Sequence, residues 1–128
     1  MEPRTHLTIN RSLCGEPVAL EGGRATVALT ATPEMAADER GLVHGGFIFG
    51  LADYAAMLAV NEPTVVLASA DSTFRAPVVV GERVVAEANV TEHEGKRYRV
   101  HVDVRRGETV VMSADFSCAV PSRHVLDR

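Results

Sequence analysis

The chain has 128 residues, of which 46% are hydrophobic and 23% are charged, and its formal net charge is −4. This length predicts a single domain, residues 1–128, whose core is large enough to fold without disulfides or a metal. The negative balance of charge argues against a nucleic-acid partner. The two isolated cysteines, Cys14 and Cys118, and a polar start that is not a signal peptide favour a reducing cytoplasm.

The first segment, residues 6–18, is ambiguous. Leu7 and Ile9 alternate as in a short strand, whereas Leu13 could join Ile9 on one face of a helix. Gly15 ends either structure. Both interpretations therefore stay open for this segment.

A clearer strand follows in residues 18–32. Gly22 and Gly23 form a turn, after which apolar and polar side chains alternate up to Thr32 as in a half-buried strand. Residues 33–42 then form a polar loop that leads the chain to its next element.

Residues 41–61 differ from everything around them. From Gly45 to Val60, sixteen consecutive residues carry one charge, that of Asp53, and apolar side chains lie on every side of a helical wheel. This pattern predicts a helix that is wrapped by the rest of the domain and ends at Asn61 and Pro63. The helix is too short to span a bilayer and carries an acid in its middle, so we expect no membrane segment.

The helix has an unusual start and one unusual face. Paired glycines, Gly45 and Gly46, leave the first backbone N–H groups unshielded, and such groups at the positive end of a helix bind negative oxygen. Gly46, Gly50, Asp53 and Met57 share one face at spacings of 4, 3 and 4 residues. A carboxylate on this small, apolar face calls for either a partner or a chemical role, because burying it alone is costly.

The rest of the chain alternates in a way typical of strands joined by short turns. One face is apolar and the other polar, as in an antiparallel sheet that is covered on one side. We therefore expect an α+β domain in which an antiparallel sheet of five to six strands wraps around the central helix. The predicted strands after the helix cover residues 64–76, 84–90, 98–104 and 110–118.

This order and three local motifs resemble the hotdog fold, and within it the acyl-CoA thioesterases of the phenylacetate-degradation, PaaI-like type. The motifs are His44-Gly45-Gly46 with Asp53 nine residues after the histidine, the strand end Phe74-Arg75-Ala76-Pro77-Val78, and the turn Val80-Gly81-Glu82. The resemblance covers nearly the whole chain.

The resemblance implies an acyl-CoA hydrolase in which coenzyme A enters as part of the substrate and no separate cofactor or metal is needed. It assigns the role of general base or nucleophile to Asp53 and places the amide of Gly45 on the thioester oxygen, with His44 and Gly46 beside it. It also implies a homodimer with shared active sites, or a tetramer built from two such dimers. An edge-to-edge dimer would remove one open sheet edge per chain.

One loop departs from the pattern of the family. Many members have an asparagine about six residues before the motif histidine, whereas this chain has Asp38 with Glu39 beside it. An acid near the site would raise the pKa of Asp53 by repulsion between like charges, or share its role as base. We therefore place Asp38 among the substrate-binding candidates and expect burial to raise the pKa of Asp53.

Two polar sets have both a simple and a functional interpretation. Ser69, Asp71 and Thr73 alternate on one face of a strand, and this face is either solvated or lines the substrate pocket of a partner chain. The basic residues around two turns are either ordinary surface or a binding site for the phosphates of coenzyme A. This basic set comprises Lys96, Arg97, Arg99, Arg105 and Arg106.

The motif residues also have purely structural interpretations. Asp53 could be a buried acid paired with Arg40, Arg75 or a hydroxyl group, and His44 could fix its loop by a hydrogen bond to the backbone. Gly46 and Gly50 could simply permit close helix packing. The glycine spacing is not a phosphate loop, because the Lys and Ser or Thr of that motif are missing, and the five histidines lack the spacing of metal ligands.

Three functions are compatible with this pattern. Acyl-CoA hydrolysis is the first, because Asp53 and the helix start provide a base and an oxyanion site. A non-catalytic acyl-CoA or small-ligand binding module on the same fold is the second. A hydratase is a weaker third, since the chain lacks a second His/Asp motif of the hydratase kind.

Overall fold

The computed structural model describes residues 1–127. Two helices and six strands follow one another in the chain, with a short 3-10 turn at Pro33–Met35 between β2 and α2. In chain order they are α1 (Arg11–Cys14), β1 (Glu16–Glu21), β2 (Arg24–Thr30), α2 (Gly45–Val60), β3 (Val66–Phe74), β4 (Arg83–Glu94), β5 (Arg97–Arg106) and β6 (Thr109–Ala119).

The six strands form one antiparallel sheet that wraps around α2. Their order in the sheet is β1-β2-β4-β5-β6-β3, and every neighbouring pair is antiparallel. This architecture is the hotdog fold, so the predicted fold class is confirmed.

Helix α2 forms the centre of the core. It spans Gly45–Val60 as predicted, and Asn61 ends it in a left-handed conformation with φ of 51°. Ten of its sixteen residues are buried, including Leu51, Met57 and Leu58. They face a concave sheet surface of valines and Phe116, and full burial of each large side chain contributes about 1.5–3 kcal/mol. No helix within residues 1–127 is long and apolar enough to cross a membrane.

Strand β3 lies at the edge of the sheet, away from the strand that follows it in the chain. Strands β4, β5 and β6 form the predicted meander, but β3 crosses to the far edge and pairs with β6 rather than with β4. Side chains in the middle of β3, from residue 68 to residue 71, are exposed. Strands β1 and β3 therefore each have one neighbour in the described sheet, and their outer edges are open.

The structure shows the conformation of two segments that precede α2. The ambiguous residues 6–18 contain both a short helix, α1, and the beginning of β1, which brings the strand count to six. The loop at residues 33–42 is less polar than predicted, because Met35 is fully buried beneath it. The N–H of His44 donates to the carbonyl of Met35 at 2.9 Å, which fixes the approach to α2.

Candidate functional site

Asp53 lies in the middle of α2 without a partner for its carboxylate. Its Oδ1 atom is buried and accepts no hydrogen bond from any group within residues 1–127. Burial raises the pKa of Asp53 from 3.8 to about 6. The alternative of a buried acid paired with Arg40 or Arg75 is therefore wrong for the described chain. An unsatisfied buried acceptor costs about 1–3 kcal/mol, so this carboxylate oxygen lowers the free energy of unfolding of the chain.

Asp53 opens into a cavity of about 380 Å³. The wall has an apolar part, from α2 and the start of β3, and a polar part, from both ends of the chain. Its lining comprises Asp53, Met57, residues 63–67, Thr5 and His6 from the N-terminal segment, and His124 and Val125 from the C-terminal segment. The cavity thus combines an unpartnered acid with room for a small organic group.

The start of α2 lies against a second cavity, of about 370 Å³. Gly45 lines it together with Ile48, Phe74 and Val111. A Cβ atom on Gly45 would come within 3.3 Å of the Phe74 ring, so glycine here permits close contact with β3. The side chain of His44 forms no capping hydrogen bond at the helix start. The first N–H groups of α2 therefore have no side-chain cap from His44.

A single chain does not bring the two motif positions together. Gly45 and Asp53 are eight residues apart on one helix, which separates them by about 12 Å along its axis. They also line different cavities. A site that uses both groups on one substrate needs a second copy of the chain.

His44 and Gly46 are exposed and lie against each other. A Cβ atom on Gly46 would come within 2.8 Å of the His44 imidazole, and that ring meets Phe47 edge-on at a centroid distance of 6.0 Å. The His44 side chain forms no hydrogen bond within residues 1–127, so the proposed loop-fixing hydrogen bond to the backbone is wrong for the side chain. No Cβ contact within 4 Å is found at Gly50, so close packing of Gly50 within the chain is also wrong.

The carboxylate of Asp38 forms hydrogen bonds with the backbone of its own loop. Its Oδ1 atom accepts hydrogen bonds from the N–H groups of Arg40 at 2.9 Å and Leu42 at 3.1 Å. Burial alone causes the raised pKa of Asp53, without a contribution from Asp38. The expected repulsion between the two acids is therefore absent in the described chain, and a substrate contact of Asp38 stays a prediction.

Ser69, Asp71 and Thr73 are exposed on β3, the open edge strand. None of them lines the Asp53 cavity, whereas Val66 and Leu67 at the start of the same strand do. Within one chain this face is solvated. A role in substrate binding would require these side chains to line the pocket of a partner.

The basic residues divide into two groups. Arg105 pairs with Glu87 at 3.1 Å, and Arg106 pairs with Glu82 at 3.6 Å and donates to the carbonyl of Pro77. Lys96, Arg97 and Arg99 instead line a wide cleft of about 730 Å³, which they share with the acids Glu92 and Glu94. Ala68 lines this cleft and its chain neighbour Leu67 lines the Asp53 cavity, so both spaces border the start of β3.

Both cysteines are near Asp53, but neither is poised to react. Burial, and then the charge of Asp53, raises the pKa of the Cys118 thiol to about 12, and the same two causes raise the pKa of Cys14. A thiol with a raised pKa is a poor nucleophile at neutral pH. Neither cysteine is therefore a candidate nucleophile of this region.

Sequence reasoning missed the residues from the two chain ends. His6 lies in the ambiguous segment, residues 6–18, Thr5 directly precedes that segment, and His124 follows β6. No motif or periodicity marks them. Only the position of the two ends beside α2 brings them to Asp53.

Comparisons with known proteins agree with the fold. A family model described as thioesterase superfamily matches residues 40–113. The structure of the uncharacterized protein PH1136 from Pyrococcus horikoshii is 54% identical and has a TM-score of 0.98, with 99% of this chain and 98% of that chain covered. A mutant of the phenylacetic acid degradation protein PaaI from Thermus thermophilus is 26% identical and has a TM-score of 0.79, with 87% and 96% covered.

Curated relatives by sequence are longer proteins. A methylthioribose-1-phosphate isomerase of Aquifex aeolicus is 50% identical over 116 residues, which are 91% of this chain and 25% of that protein. The transcription factor FapR of Caldanaerobacter subterraneus is 28% identical over 109 residues, which are 84% of this chain and 54% of that protein. The chain thus spans a quarter of the first relative and about half of the second.

Proposed function

The chain belongs to the thioesterase superfamily, and from this premise we propose that it hydrolyses acyl-CoA thioesters to a carboxylic acid and coenzyme A. One observation carries the proposal: Asp53 has one buried carboxylate oxygen without a hydrogen-bond partner, lines a cavity, and has a pKa that burial raises to about 6. A carboxyl group with this pKa is mostly ionised at neutral pH and more basic than an exposed aspartate, as a general base should be. Similarity to PaaI supports placing the chain in the PaaI-like group.

In the proposed reaction, Asp53 removes a proton from water as the water oxygen attacks the thioester carbon. The negative charge that develops on the carbonyl oxygen is held by the free N–H of Gly45 at the start of α2. The carbon–sulfur bond then breaks, and the departing thiolate takes the proton from Asp53. The products are one carboxylic acid and one coenzyme A thiol.

The proposed site is shared between two copies of the chain. Asp53 and Gly45 of one chain are about 12 Å apart along α2, which is too far for both to contact one thioester. We therefore propose a homodimer in which Asp53 of one protomer faces the helix start of its partner, and the open edge of β3 is a suitable surface for it. Dimers of this kind could pair again into tetramers.

Coenzyme A would occupy the cleft beside the Asp53 cavity. Lys96, Arg97 and Arg99 are the basic residues that line this cleft, and their charges suit the phosphates of coenzyme A. An acyl-CoA bound at both places would pass the start of β3, where Leu67 lines the cavity and Ala68 lines the cleft. Arg105 and Arg106 are already paired with acids and have no part in this proposal.

A second candidate is a ligand-binding module without catalysis. Its support is the similarity to FapR, a transcription factor of which this chain spans about half. Such a module would bind acyl-CoA in the same cavity and cleft without turning it over.

A thiol-release assay with short, long and aromatic acyl-CoAs distinguishes the two candidates. Hydrolysis predicts release of coenzyme A with at least one class of substrate, and the class identifies the acyl group. Binding of acyl-CoA by calorimetry without any thiol release would instead establish the module. The assay should include the ionic-strength dependence of KM, since phosphate contacts weaken with added salt.

A further inference from the structure

His6 has an unusual backbone conformation beside the Asp53 cavity. Its φ of 55° lies in the left-handed region, which a non-glycine residue adopts at a cost of about 1–3 kcal/mol. Asn61 is the other non-glycine residue with positive φ among residues 1–127, and it has the ordinary structural reason of ending a helix. His6 ends no helix. Strained residues of this kind cluster at ligand sites.

The N-terminal segment is tied down, so the position of His6 is fixed. The N–H of Arg4 donates to Asn61 Oδ1 at 2.7 Å, and Asn61 Nδ2 donates to the carbonyl of Glu2 at 3.0 Å. Thr5 is buried, with 5% of its surface exposed. Both contacts attach the segment to the end of α2, which holds His6 at the wall of the cavity.

The imidazole of His6 has one nitrogen engaged and one free. Nδ1 is 2.8 Å from the hydroxyl oxygen of Thr5, and Nε2 has no hydrogen-bond partner within residues 1–127. The ring lies against Tyr54 at a centroid distance of 6.3 Å. Burial lowers the pKa of His6, so the ring is uncharged at neutral pH. An uncharged ring with Nδ1 held in place presents Nε2 in a set direction.

We propose that His6 is a further residue of the reaction, which contacts the attacking water through Nε2. The inference rests on the proposed hydrolase function. Nδ1–H donates to the Thr5 hydroxyl, and Nε2 accepts a hydrogen bond from the water while Asp53 removes the other proton of that water. His6 transfers no proton. It orients the water, so that the oxygen–carbon bond forms as the proton moves to Asp53.

Two amide variants separate this role from a structural one. His6→Asn suits the left-handed backbone, because asparagine is enriched there, but its side chain is too short to reach the water. His6→Gln keeps an acceptor oxygen at nearly the reach of Nε2. His101→Asn is the matched control on the outer face of the sheet, where the imidazole lies 3.0 Å from Asp115 and 3.2 Å from Asp103.

We expect His6→Asn to lower kcat about 10- to 100-fold with little change in KM, as misplacement of a reactant does. His6→Gln should recover part of this loss, and His101→Asn should match the wild type. Wild-type kcat in His6→Asn would refute the role of His6 and leave the hydrolase standing. Absence of turnover in the wild type itself would refute both.

Nuclear magnetic resonance titration of the His6 imidazole gives a readout that does not depend on activity or on the stability of a His6 variant. His6 and Asp53 line one cavity, and Asp53→Asn removes from it an anion that favours the imidazolium form of His6. The pKa of His6 should therefore fall in Asp53→Asn relative to the wild type. An identical titration of His6 in both proteins would contradict the proposed contact.

Discussion

The Asp53 cavity and the outer face of the sheet both bring a histidine near a carboxylate, but the two regions treat these groups in opposite ways. On the outer face, the imidazole of His101 lies 3.0 Å from Asp115 and 3.2 Å from Asp103. Ser113 donates a hydrogen bond of 2.8 Å to Asp103. The hydrogen bond to Asp115 is the largest cause of a raised pKa for His101.

In the cavity, the histidine and the carboxylate form no hydrogen bond with each other, and burial shifts the pKa of both. The Oδ1 atom of Asp53 accepts no hydrogen bond within residues 1–127, and burial raises the pKa of Asp53 to about 6. Burial also lowers the pKa of His6. The cavity therefore disfavours the charged forms of Asp53 and His6, whereas the hydrogen bonds on the outer face favour the charged form of His101.

The difference shows which cluster is available for chemistry. The groups on the outer face satisfy one another, so a ligand would have to compete with existing hydrogen bonds. The carboxylate in the cavity lacks a partner, so water or substrate gains a contact without breaking one. Substitutions in the two regions test this contrast between a satisfied and an unsatisfied carboxylate.

The largest effect is expected for Asp53→Asn. The variant keeps the shape of the side chain and removes the base, so thiol release should fall about 10²- to 10⁴-fold. Asp115→Asn, on the outer face, should leave the rate unchanged. An equal loss of thiol release in both variants would show that the two carboxylates do not differ in their importance for the reaction.

The stability of Asp53→Asn should change in the opposite direction to its activity. Because the pKa of Asp53 is raised on folding from 3.8 to about 6, its ionisation costs the fold roughly 3 kcal/mol above pH 6. The amide variant avoids this cost, so its Tm at neutral pH should hold or rise. A clear fall in Tm would show that the carboxylate has a stabilising partner after all.

Asp38→Asn tests whether the loop acid shares the role of base. Its carboxylate already accepts two N–H groups of its own loop, and asparagine can accept the same hydrogen bonds. We expect turnover near that of the wild type. Loss of turnover in Asp38→Asn together with normal turnover in Asp53→Asn would move the base to the loop.

The next effect concerns the start of α2. Gly45→Pro removes the N–H proposed to hold the oxyanion, and proline is tolerated at the first position of a helix. His44 is extended, with φ of −61° and ψ of 131°, which suits a residue before proline. Loss of one oxyanion donor should lower kcat about 10²- to 10³-fold.

Gly45→Ala is the matched control for this change. It adds the same Cβ atom, 3.3 Å from the Phe74 ring, but keeps the N–H. Its rate should therefore lie well above that of Gly45→Pro. Equal rates in the two variants would assign the loss to contact with Phe74 rather than to the missing donor.

A small effect on stability is expected on the outer face. Because the pKa of His101 is raised above 6.5 in the folded chain, its stabilising contribution is full below that value and is lost as the pH rises through the raised pKa. The side chain is 39% exposed, so the contribution should stay below about 1 kcal/mol. Urea unfolding should show that His101→Gln loses more stability at acidic than at alkaline pH. An equal loss of stability at acidic and at alkaline pH would mean that the charge of the His101 ring does not stabilise the fold.

Most of the fold could be predicted because its local patterns are unambiguous. Helix α2 is apolar on every side and begins and ends where the sequence predicts, at Gly45 and Val60. Strands β4 to β6 alternate between an apolar and a polar face over most of their length, although β6 buries both Val111 and Met112. The position of β3 could not be predicted, since alternation identifies a strand but says nothing about its neighbour in the sheet.

The site could be predicted only in part. Asp53 stands out as the single charge in an apolar helix, and its raised pKa was expected from burial. The walls of its cavity come from both chain ends and from the start of β3. These residues are far apart in sequence and carry no shared pattern, and α1 is too short for periodicity to reveal it. Topology alone brings them together.

The pH dependence of kcat/KM tests most directly that a buried, ionised Asp53 is the base. Acyl-pantetheine thioesters are suitable substrates, because they lack phosphates that titrate in the same range. We expect the rate to rise about tenfold per pH unit below pH 6 and to level off above it, in line with the raised pKa of Asp53. A rate independent of pH between about 4.5 and 8 would contradict the central role of this carboxylate.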